Sequence, residues 1–312
     1  MRTVVITALG AVGLSWLAWS QRQVNHALPL TAALEGKLVR FRGKRAGDLA
    51  YYASQREIHS PPLLLLHSVN AAASSFEMKP IYDHFAPRRL VLALDLPGFG
   101  FSARGERNYT PALFRDAILD LLDQLDAGAV DAVALSLSAE FLALAAQQQP
   151  ARFRRLVFLS PTGFSRRNDR PRYSPVLLRL LSAAPWRQAL FDALTSQPSL
   201  WFFLTTSQRR PLRRELLNYA YRTSHQPGAP FAPFAFVAGK LFTPGIFRVY
   251  RALTQPTLVM YGQDPFIAYD RADELRCQGN WRIIALQGAG ALVHWDDPCD
   301  VNAEIARWIE QP

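Results

Sequence analysis

The chain contains Val133-Ala134-Leu135-Ser136-Leu137-Ser138-Ala139-Glu140, in which an apolar strand runs through small residues into an apolar helix. A serine on such a strand–turn–helix unit is typical of a nucleophile elbow, whose tight turn needs small residues on either side of the serine. Ala134 and Ser138 stand where glycine is usual, so Ser136 is a candidate nucleophile. A serine at the start of a helix is also a common N-cap, and this alternative stays open.

Short apolar runs recur along the rest of the chain, as expected for strands buried on both faces of a sheet. Between them lie helical stretches with apolar stripes, and this alternation is typical of a parallel sheet covered on both faces. We therefore expect an α/β fold with a mainly parallel, eight-stranded sheet. The expected strands are Leu38–Arg42, Leu49–Ala53, Leu63–Leu66, Leu90–Leu94, Val130–Leu135, Leu156–Leu159, Thr257–Tyr261 and Arg282–Leu286; the expected helices are Pro111–Leu125, Leu137–Gln148 and Asp300–Ile309.

Residues 163–254 interrupt the alternation of strands and helices. This segment is rich in arginine, proline and aromatic residues, and its leucines follow helical spacing. We interpret it as a helical cap inserted over the carboxyl edge of the sheet, where open α/β sheets bind their ligands. The core is then expected to comprise residues 36–162 and 255–312.

The N-terminus begins with a run without charge from Thr3 to Trp19, between Arg2 and Arg22. Its length is near the lower limit for a membrane-spanning helix and slightly long for the core of a signal peptide. We expect residues 1–22 to be an anchor or export signal, which would place the protein at or beyond a membrane, with membrane association through residues 3–19. The alternative is a helix docked on a cytoplasmic protein.

The composition is that of a globular protein, with 49% hydrophobic and 19% charged residues and a net charge of +10. The arginines are scattered or in short clusters without any nucleic-acid-binding motif, so we expect no nucleic-acid partner. Cys277 and Cys299 lack the spacing of a metal site, and we interpret them as buried thiols; no metal is expected.

Three candidate catalytic residues follow strands in the order serine, acid, histidine. Ser136 follows Val130–Leu135, Asp264 follows Thr257–Tyr261, and His294 follows the last strand. A serine nucleophile needs a base to accept its proton and a carboxylate to orient that base. The loop His67-Ser68-Val69-Asn70 ends a buried strand where donors to an oxyanion would lie.

The stretch Asp95-Leu96-Pro97-Gly98-Phe99-Gly100-Phe101-Ser102 resembles the D-x-P-G-x-G-x-S motif of the α/β-hydrolase superfamily. The resemblance runs from about Leu38 to Trp308, in the capped branch that includes esterases, C–C bond hydrolases and haloalkane dehalogenases. The chain also looks like a bacterial subgroup with H-S-x-N-A-A in the oxyanion loop and A-L-S-L-S at the elbow. These likenesses imply an α/β-hydrolase fold and a small hydrophobic substrate without a cofactor. The implied site comprises Ser136 as nucleophile, Asp264 as acid, the N–H groups of Val69 and Leu137 as oxyanion donors, and Ser68 with Asn70 beside the substrate.

The expected base departs from the family pattern. The family reads G-x-G-H, whereas this chain has Gly288-Ala289-Gly290-Ala291, and His294 matches a second histidine three residues later. Three hypotheses follow. His294 serves as base after a rearrangement of the loop, in a serine hydrolase that cleaves a hydrophobic ester or related carbonyl compound. Alternatively, Ser136 works weakly or with another base. In the third, the protein is a membrane-associated binding or scaffold protein.

Overall fold

The computed structural model describes residues 15–54, 60–125, 128–166, 172–184 and 186–310. At its centre lies a single eight-stranded sheet with the order β1-β2-β4-β3-β5-β6-β7-β8. This confirms the expected sheet. The strands are β1 Lys37–Gly43, β2 Gly47–Ala53, β3 Leu63–Leu66, β4 Val91–Asp95, β5 Val130–Leu135, β6 Phe153–Leu159, β7 Thr257–Tyr261 and β8 Trp281–Ala285.

Strand direction follows from the connections. The short turn between Gly43 and Gly47 makes β1 and β2 an antiparallel hairpin, and β2 also pairs antiparallel with β4. The other neighbours are parallel. Every residue of β3, β4 and β5 is buried, as expected for strands covered on both faces.

Helices cover both faces of the sheet and divide its core into two apolar layers. One layer contains α3 and α4, where the rings of Phe114 and Phe141 stack with centroids 4.6 Å apart. The other contains α2 and α13, and buries side chains such as Ile81 and Ile305. The helices of the core are α2 Lys79–Phe85, α3 Pro111–Leu125, α4 Ser138–Gln148, α11 Ala272–Arg276, α12 Val293–Asp296 and α13 Pro298–Ile309.

Between β6 and β7 the chain forms six helices and no strand in the residues that are described. They occupy the segment interpreted from the sequence as a cap. They are α5 Pro175–Leu181, α6 Arg187–Leu194, α7 Gln197–Ser207, α8 Arg214–Ser224, α9 Phe231–Val237 and α10 Ile246–Ala252. A buried carboxylate joins this segment to the core: Glu140 on α4 accepts hydrogen bonds from the Thr162 hydroxyl at 2.5 Å and the Thr243 N–H at 2.7 Å.

The N-terminal region is described from residue 15, where helix α1 (15–23) lies against α6. The Trp16 indole N–H donates to the Ala189 carbonyl at 2.8 Å, and the Ser20 hydroxyl donates to Asp192. Residues 1–14, which hold most of the expected anchor or signal, lie outside the described residues. Among the helices that are described, none is long and apolar enough to cross a membrane. The interpretation of Cys277 and Cys299 as buried thiols was wrong, because both are exposed and unpaired.

Candidate active site

The elbow at Ser136 has the backbone conformation that a nucleophile elbow requires. Ser136 has φ of 55°, a left-handed value that costs an L-residue about 1–2 kcal/mol. Strand β5 ends at Leu135, and α4 begins at Ser138 with Leu137 as its N-cap, so Ser136 lies between strand and helix and does not cap α4. Ser136 is partly exposed. Backbone strain of this kind is typical of functional sites.

Two backbone N–H groups beside Ser136 lack acceptors in the part of the chain that the structure describes. They belong to Val69 and Leu137, which are 3% and 1% exposed. Neither N–H donates a hydrogen bond to a described residue. A buried N–H without an acceptor is costly and therefore rare, which makes these two the available donors for an oxyanion. These are the two groups that the family resemblance implies as oxyanion donors, and that role stays a prediction.

The register of the sheet brings these groups together. Leu66 of β3 pairs with Ala134 of β5, so both strands end at the same level. The Ser138 hydroxyl donates to the His67 carbonyl at 2.5 Å, which fixes the start of α4 against the loop after β3. Ser138, which stands where the family usually has glycine, thus adds a hydrogen bond between the elbow and the oxyanion loop.

Glu77 holds the oxyanion loop, and sequence reasoning missed it. Its side chain, 5% exposed, accepts hydrogen bonds from the Ser68 N–H at 2.8 Å, the Ser68 hydroxyl at 3.0 Å and the Asn70 amide at 2.7 Å. Burial raises the pKa of the Glu77 carboxyl, while these three hydrogen bonds lower it. The only sequence signal is a lone acid in the apolar and small stretch around Phe76.

Ser68 and Asn70 support the loop in this structure. Besides binding Glu77, the Asn70 amide N–H donates to the Ser68 hydroxyl at 2.7 Å, and its Oδ1 accepts from the Ala72 N–H at 2.7 Å. These polar atoms hold Val69 between them. That Ser68 and Asn70 also contact a substrate stays a prediction.

His67 is a neutral packing residue beneath the loop. The Leu96 N–H donates to His67 Nε2 at 3.0 Å, so the ring proton lies on Nδ1, which donates to the Ser68 carbonyl at 2.6 Å. Complete burial lowers the pKa of His67 to about 3. Both ring nitrogens are therefore occupied in fixing the backbone of β4 and the loop.

Asp95, at the end of β4, anchors the D-x-P-G-x-G-x-S turn to the 3-10 helix Ser75–Met78 that carries Glu77. Its carboxylate accepts from the Ser75 N–H at 3.0 Å and the Phe101 N–H at 2.9 Å. Gly100 has φ of 52°, and a Cβ there would lie 2.0 Å from the Asp95 carboxyl carbon, so only glycine fits. Burial raises the pKa of Asp95.

The structure brings His294 to Glu77 and not to Ser136. Its Nε2 lies 2.7 Å from the Glu77 carbonyl oxygen, which also accepts from the Trp295 indole at 2.8 Å. Because a carbonyl only accepts, Nε2 carries the proton, and the lone pair is on Nδ1, which is buried without a partner among the described atoms. Burial lowers the pKa of His294 to about 4. The role of His294 as base stays a prediction.

Asp264, the expected acid, and Ala291, where the family carries its base, lie in loops at the same edge of the sheet. Asp264 Oδ1 accepts from the N–H groups of Phe266 at 2.7 Å and Ile267 at 3.2 Å, which closes a turn after β7. The nearby acid whose charge acts on the His294 ring is Asp296. Ala291 is partly exposed in the loop between β8 and α12. That Asp264 orients a base also stays a prediction.

Asp296 ties the loop of Ala291 to the segment after α7. Its carboxylate accepts from the Gly290 N–H at 2.7 Å and from the N–H groups of Arg209 at 3.0 Å and Arg210 at 2.9 Å. A Cβ on Gly290 would lie 2.5 Å from the Ser207 carbonyl oxygen. The backbones of the two segments are therefore in close contact.

Ser160 is a second residue that sequence reasoning missed. It follows β6 directly, as Ser136 follows β5, and its φ of 44° is the only other left-handed value for a described residue that is not glycine. Its hydroxyl is buried and without a hydrogen-bond partner among the described residues. No sequence motif marks it, since Ser160-Pro161 reads as an ordinary turn.

The sequence model described as "Alpha/beta hydrolase family" matches residues 63–304. Solved structures agree in fold at low identity. A carboxylesterase from Bacillus subtilis is 18% identical with a TM-score of 0.68, over 96% of this chain and 98% of that one. The 2-hydroxy-6-oxo-6-phenylhexa-2,4-dienoate hydrolase from Rhodococcus sp. strain RHA1 is also 18% identical, with a TM-score of 0.67, over 88% of this chain and 99% of that one.

Proposed function

This chain belongs to the alpha/beta hydrolase family, and we propose that it is a serine hydrolase that cleaves a hydrophobic carboxylic ester or a related carbonyl compound. The observation that carries the proposal is the pair of N–H groups of Val69 and Leu137, which belong to buried residues and donate to no residue that the structure describes, at the ends of two neighbouring strands with the left-handed Ser136. Backbone strain and unsatisfied N–H donors both lower the stability of the fold, and both are concentrated at functional sites in proteins.

The chemistry assigns a role to each group. Ser136 Oγ attacks the carbonyl carbon, and the carbonyl oxygen becomes an oxyanion that accepts hydrogen bonds from the two N–H groups. The base takes the proton of Ser136 during this attack. The tetrahedral intermediate collapses as the bond to the alcohol oxygen breaks, the alcohol leaves with that proton, and an acyl-enzyme remains. Water then gives a proton to the base and attacks the acyl carbon; the bond to Ser136 Oγ breaks, Ser136 regains the proton, and the acid leaves. Glu77 positions the loop that carries Val69.

The base in this proposal is His294, with Asp264 as its orienting carboxylate. To act, the His294 ring must leave the Glu77 carbonyl and present an unprotonated ring nitrogen to the Ser136 hydroxyl, because Nε2 carries the proton in this structure. Burial keeps His294 neutral at physiological pH, which is the form that a base needs. A pKa of about 4 also makes the ring a weak base in its present position, since a general base works best with a pKa near the operating pH.

A second function, ligand binding without catalysis, is favoured by two specific observations. Ala291 stands where the family carries its base, and His294 is bound to the Glu77 carbonyl. A serine without a base is a poor nucleophile at neutral pH, so a protein that keeps this arrangement would bind carbonyl compounds and not turn them over.

Labelling with a fluorophosphonate probe separates the two functions. The hydrolase predicts labelling of the wild type that is absent in Ser136→Ala and about 10²–10⁴-fold slower in His294→Gln, which keeps a donor for the Glu77 carbonyl. The matched control is His84→Gln, a partly exposed histidine on α2, which should label like wild type.

The variant Ala291→His restores the family base position and makes every outcome informative. No labelling of folded wild type with clear labelling of Ala291→His would mean a site complete except for its base, and would support the binding function. Equal labelling of wild type and His294→Gln would remove His294 from the mechanism. Labelling that survives in Ser136→Ala would overturn the assignment of the nucleophile.

A further inference from the structure

The helices between β6 and β7 expose apolar side chains that a water-facing surface would not carry. Among the described large hydrophobic residues that are exposed, all but Phe266 belong to this segment or to α1. The apolar cap face consists of exposed residues on α1, on α5 and on α6 with its N-cap. The aromatic triplet consists of three consecutive residues of α7. The apolar cap face comprises Trp19, Val176, Leu177, Leu180, Trp186 and Leu190; the aromatic triplet comprises Trp201, Phe202 and Phe203.

Helix α5 carries apolar residues on its outer side as well as its inner side, with Arg179 as its one charged residue. Leu178 and Leu181 pack inward against the cluster of Phe191 and Phe234, whereas Val176, 69% exposed, and Leu180, 55% exposed, point away from it. A surface helix normally confines its apolar residues to the stripe that faces the core, so the outer side of α5 is unusually apolar.

Contacts join the members of the apolar cap face. The Trp186 indole donates to the Leu180 carbonyl at 2.7 Å, and Leu190 follows Trp186 by one helical turn on α6. One residue before Leu190, the Ala189 carbonyl accepts from Trp16, whose ring stacks on Trp19 with centroids 4.7 Å apart. The face therefore runs from α5 across α6 to α1.

The aromatic triplet lies on the helix that follows α6. Leu200 and Leu204 pack inward from α7, while Trp201, Phe202 and Phe203 stay 42–57% exposed. Three consecutive helical residues span about 200° of the helix circumference, so they cover the whole outer side of α7. Exposed aromatic residues of this kind are typical of a membrane interface.

Positive charge is concentrated in the same segment. Residues 163–254 contain 14 arginine and lysine residues and 3 acidic ones, whereas the rest of the chain contains 21 and 22. The net charge of +10 therefore arises entirely from this segment. One of its three acids, Asp192, is buried and accepts hydrogen bonds from Ser20 and His26, so it does not offset the exposed arginines.

We propose that the apolar cap face and the aromatic triplet dock on the surface of an anionic lipid bilayer. Arginines such as Arg179 and Arg214 would bind lipid phosphates while the apolar side chains enter the interface. The chain also enters the described structure beside this face, at α1, and the preceding residues from Thr3 are without charge. This docking does not depend on the chemistry at Ser136.

The test is co-sedimentation of the full chain with vesicles of phosphatidylcholine, with and without phosphatidylserine. Binding is expected to need phosphatidylserine and to weaken with salt, because screening weakens attraction between charges. Each exposed side chain that enters the interface is worth roughly fivefold in affinity, so Val176→Ser with Leu180→Ser should cost about 25-fold. Trp201→Ser with Phe202→Ser should cost a similar factor.

The controls distinguish binding through the proposed face from non-specific binding to vesicles. Phe266→Ser removes an equally exposed aromatic residue outside the segment and should leave binding unchanged. Arg179→Gln with Arg214→Gln should reduce binding to anionic vesicles, whereas Arg42→Gln on β1 should not. Circular dichroism of each variant checks that it is folded.

Three results would overturn the proposal. Unchanged binding of both apolar double variants would place membrane binding elsewhere, for example in the N-terminal run. Oligomers of wild type that dissociate in the α5 variant would mean that the face packs against a second copy. Binding to duplex DNA in place of vesicles would assign the arginines to nucleic acid.

Discussion

Substituting Glu77 by glutamine tests the inference that this carboxylate builds the oxyanion site. The change preserves shape, and it replaces one acceptor oxygen with an NH₂ donor. If the amide oxygen stays at Oε1, the new NH₂ faces the Ser68 N–H at 2.8 Å; if it flips, the NH₂ faces the Asn70 amide at 2.7 Å. Either orientation leaves at least one buried donor without its Glu77 acceptor, because Oε2 accepts one hydrogen bond and Oε1 accepts two.

The magnitude follows from that count. An orphaned buried donor costs about 1–3 kcal/mol, and the uncharged amide avoids the desolvation that raises the pKa of Glu77, so no larger loss is expected. With ~2.1 cal/mol/K of unfolding entropy per residue, 312 residues make 1 kcal/mol worth about 1.5 °C, so Tm should fall by about 2–5 °C. Displacing the Val69 N–H should also slow labelling of Ser136 by roughly 100-fold.

The assay pairs thermal unfolding with the rate of fluorophosphonate labelling, measured well below Tm. The matched control is Asp192→Asn, because Asp192 is an equally buried carboxylate that accepts hydrogen bonds from Ser20, His26 and Gln188 in the cap. This control should lose stability and label at the wild-type rate. A role of Glu77 in building the oxyanion site is excluded if Glu77→Gln labels like wild type, or if Asp192→Asn slows labelling equally.

Three further outcomes are expected. In the wild type, each pH unit of acidification from 6.5 toward 4 should cost up to ~1.36 kcal/mol of stability, because the unfolded histidine binds a proton that the buried one does not. The variant His294→Gln should not show this part of the loss. Urea unfolding at several pH values checks this, and equal slopes of stability against pH in the two proteins would contradict it. Ser136→Gly should be more stable than Ser136→Ala by about 1 kcal/mol in the free energy of unfolding, and should melt at a higher temperature, since glycine relieves the left-handed strain. A lower melting temperature of the glycine variant would mean that the serine is not strained. Gly290→Ala should cost about 1–3 kcal/mol through contact with the Ser207 carbonyl, whereas Gly279→Ala, which meets nothing within 4 Å, should be neutral in the same calorimetric scan.

The sheet was predictable because burial on both faces leaves a direct trace in the sequence. Runs such as Leu63–Leu66 have no alternation, and the small residues between β5 and α4 mark the elbow. The N–H groups of Val69 and Leu137 were expected as oxyanion donors from the resemblance to the α/β-hydrolase superfamily, and that role stays a prediction. These are local patterns, and the chain order of the strands brings them together.

The partners of side chains across loops were not predictable. Glu77 meets Ser68 because a 3-10 helix turns it back toward the end of β3, and no periodicity encodes that turn. The direction of His294 depends on its place inside α12, which packs against the Glu77 carbonyl. The position of α1 on α6 rests on single contacts between residues more than 160 positions apart.

Glu77 also constrains how this protein can evolve. Its side chain holds Ser68 and Asn70, and its carbonyl oxygen holds His294 and Trp295. Residues that share a partner show coupled, non-additive effects when they change. A histidine placed at position 291 would therefore act in a background where the oxyanion loop and α12 are already coupled through one glutamate. Its effect on the site should differ according to whether Glu77 is retained.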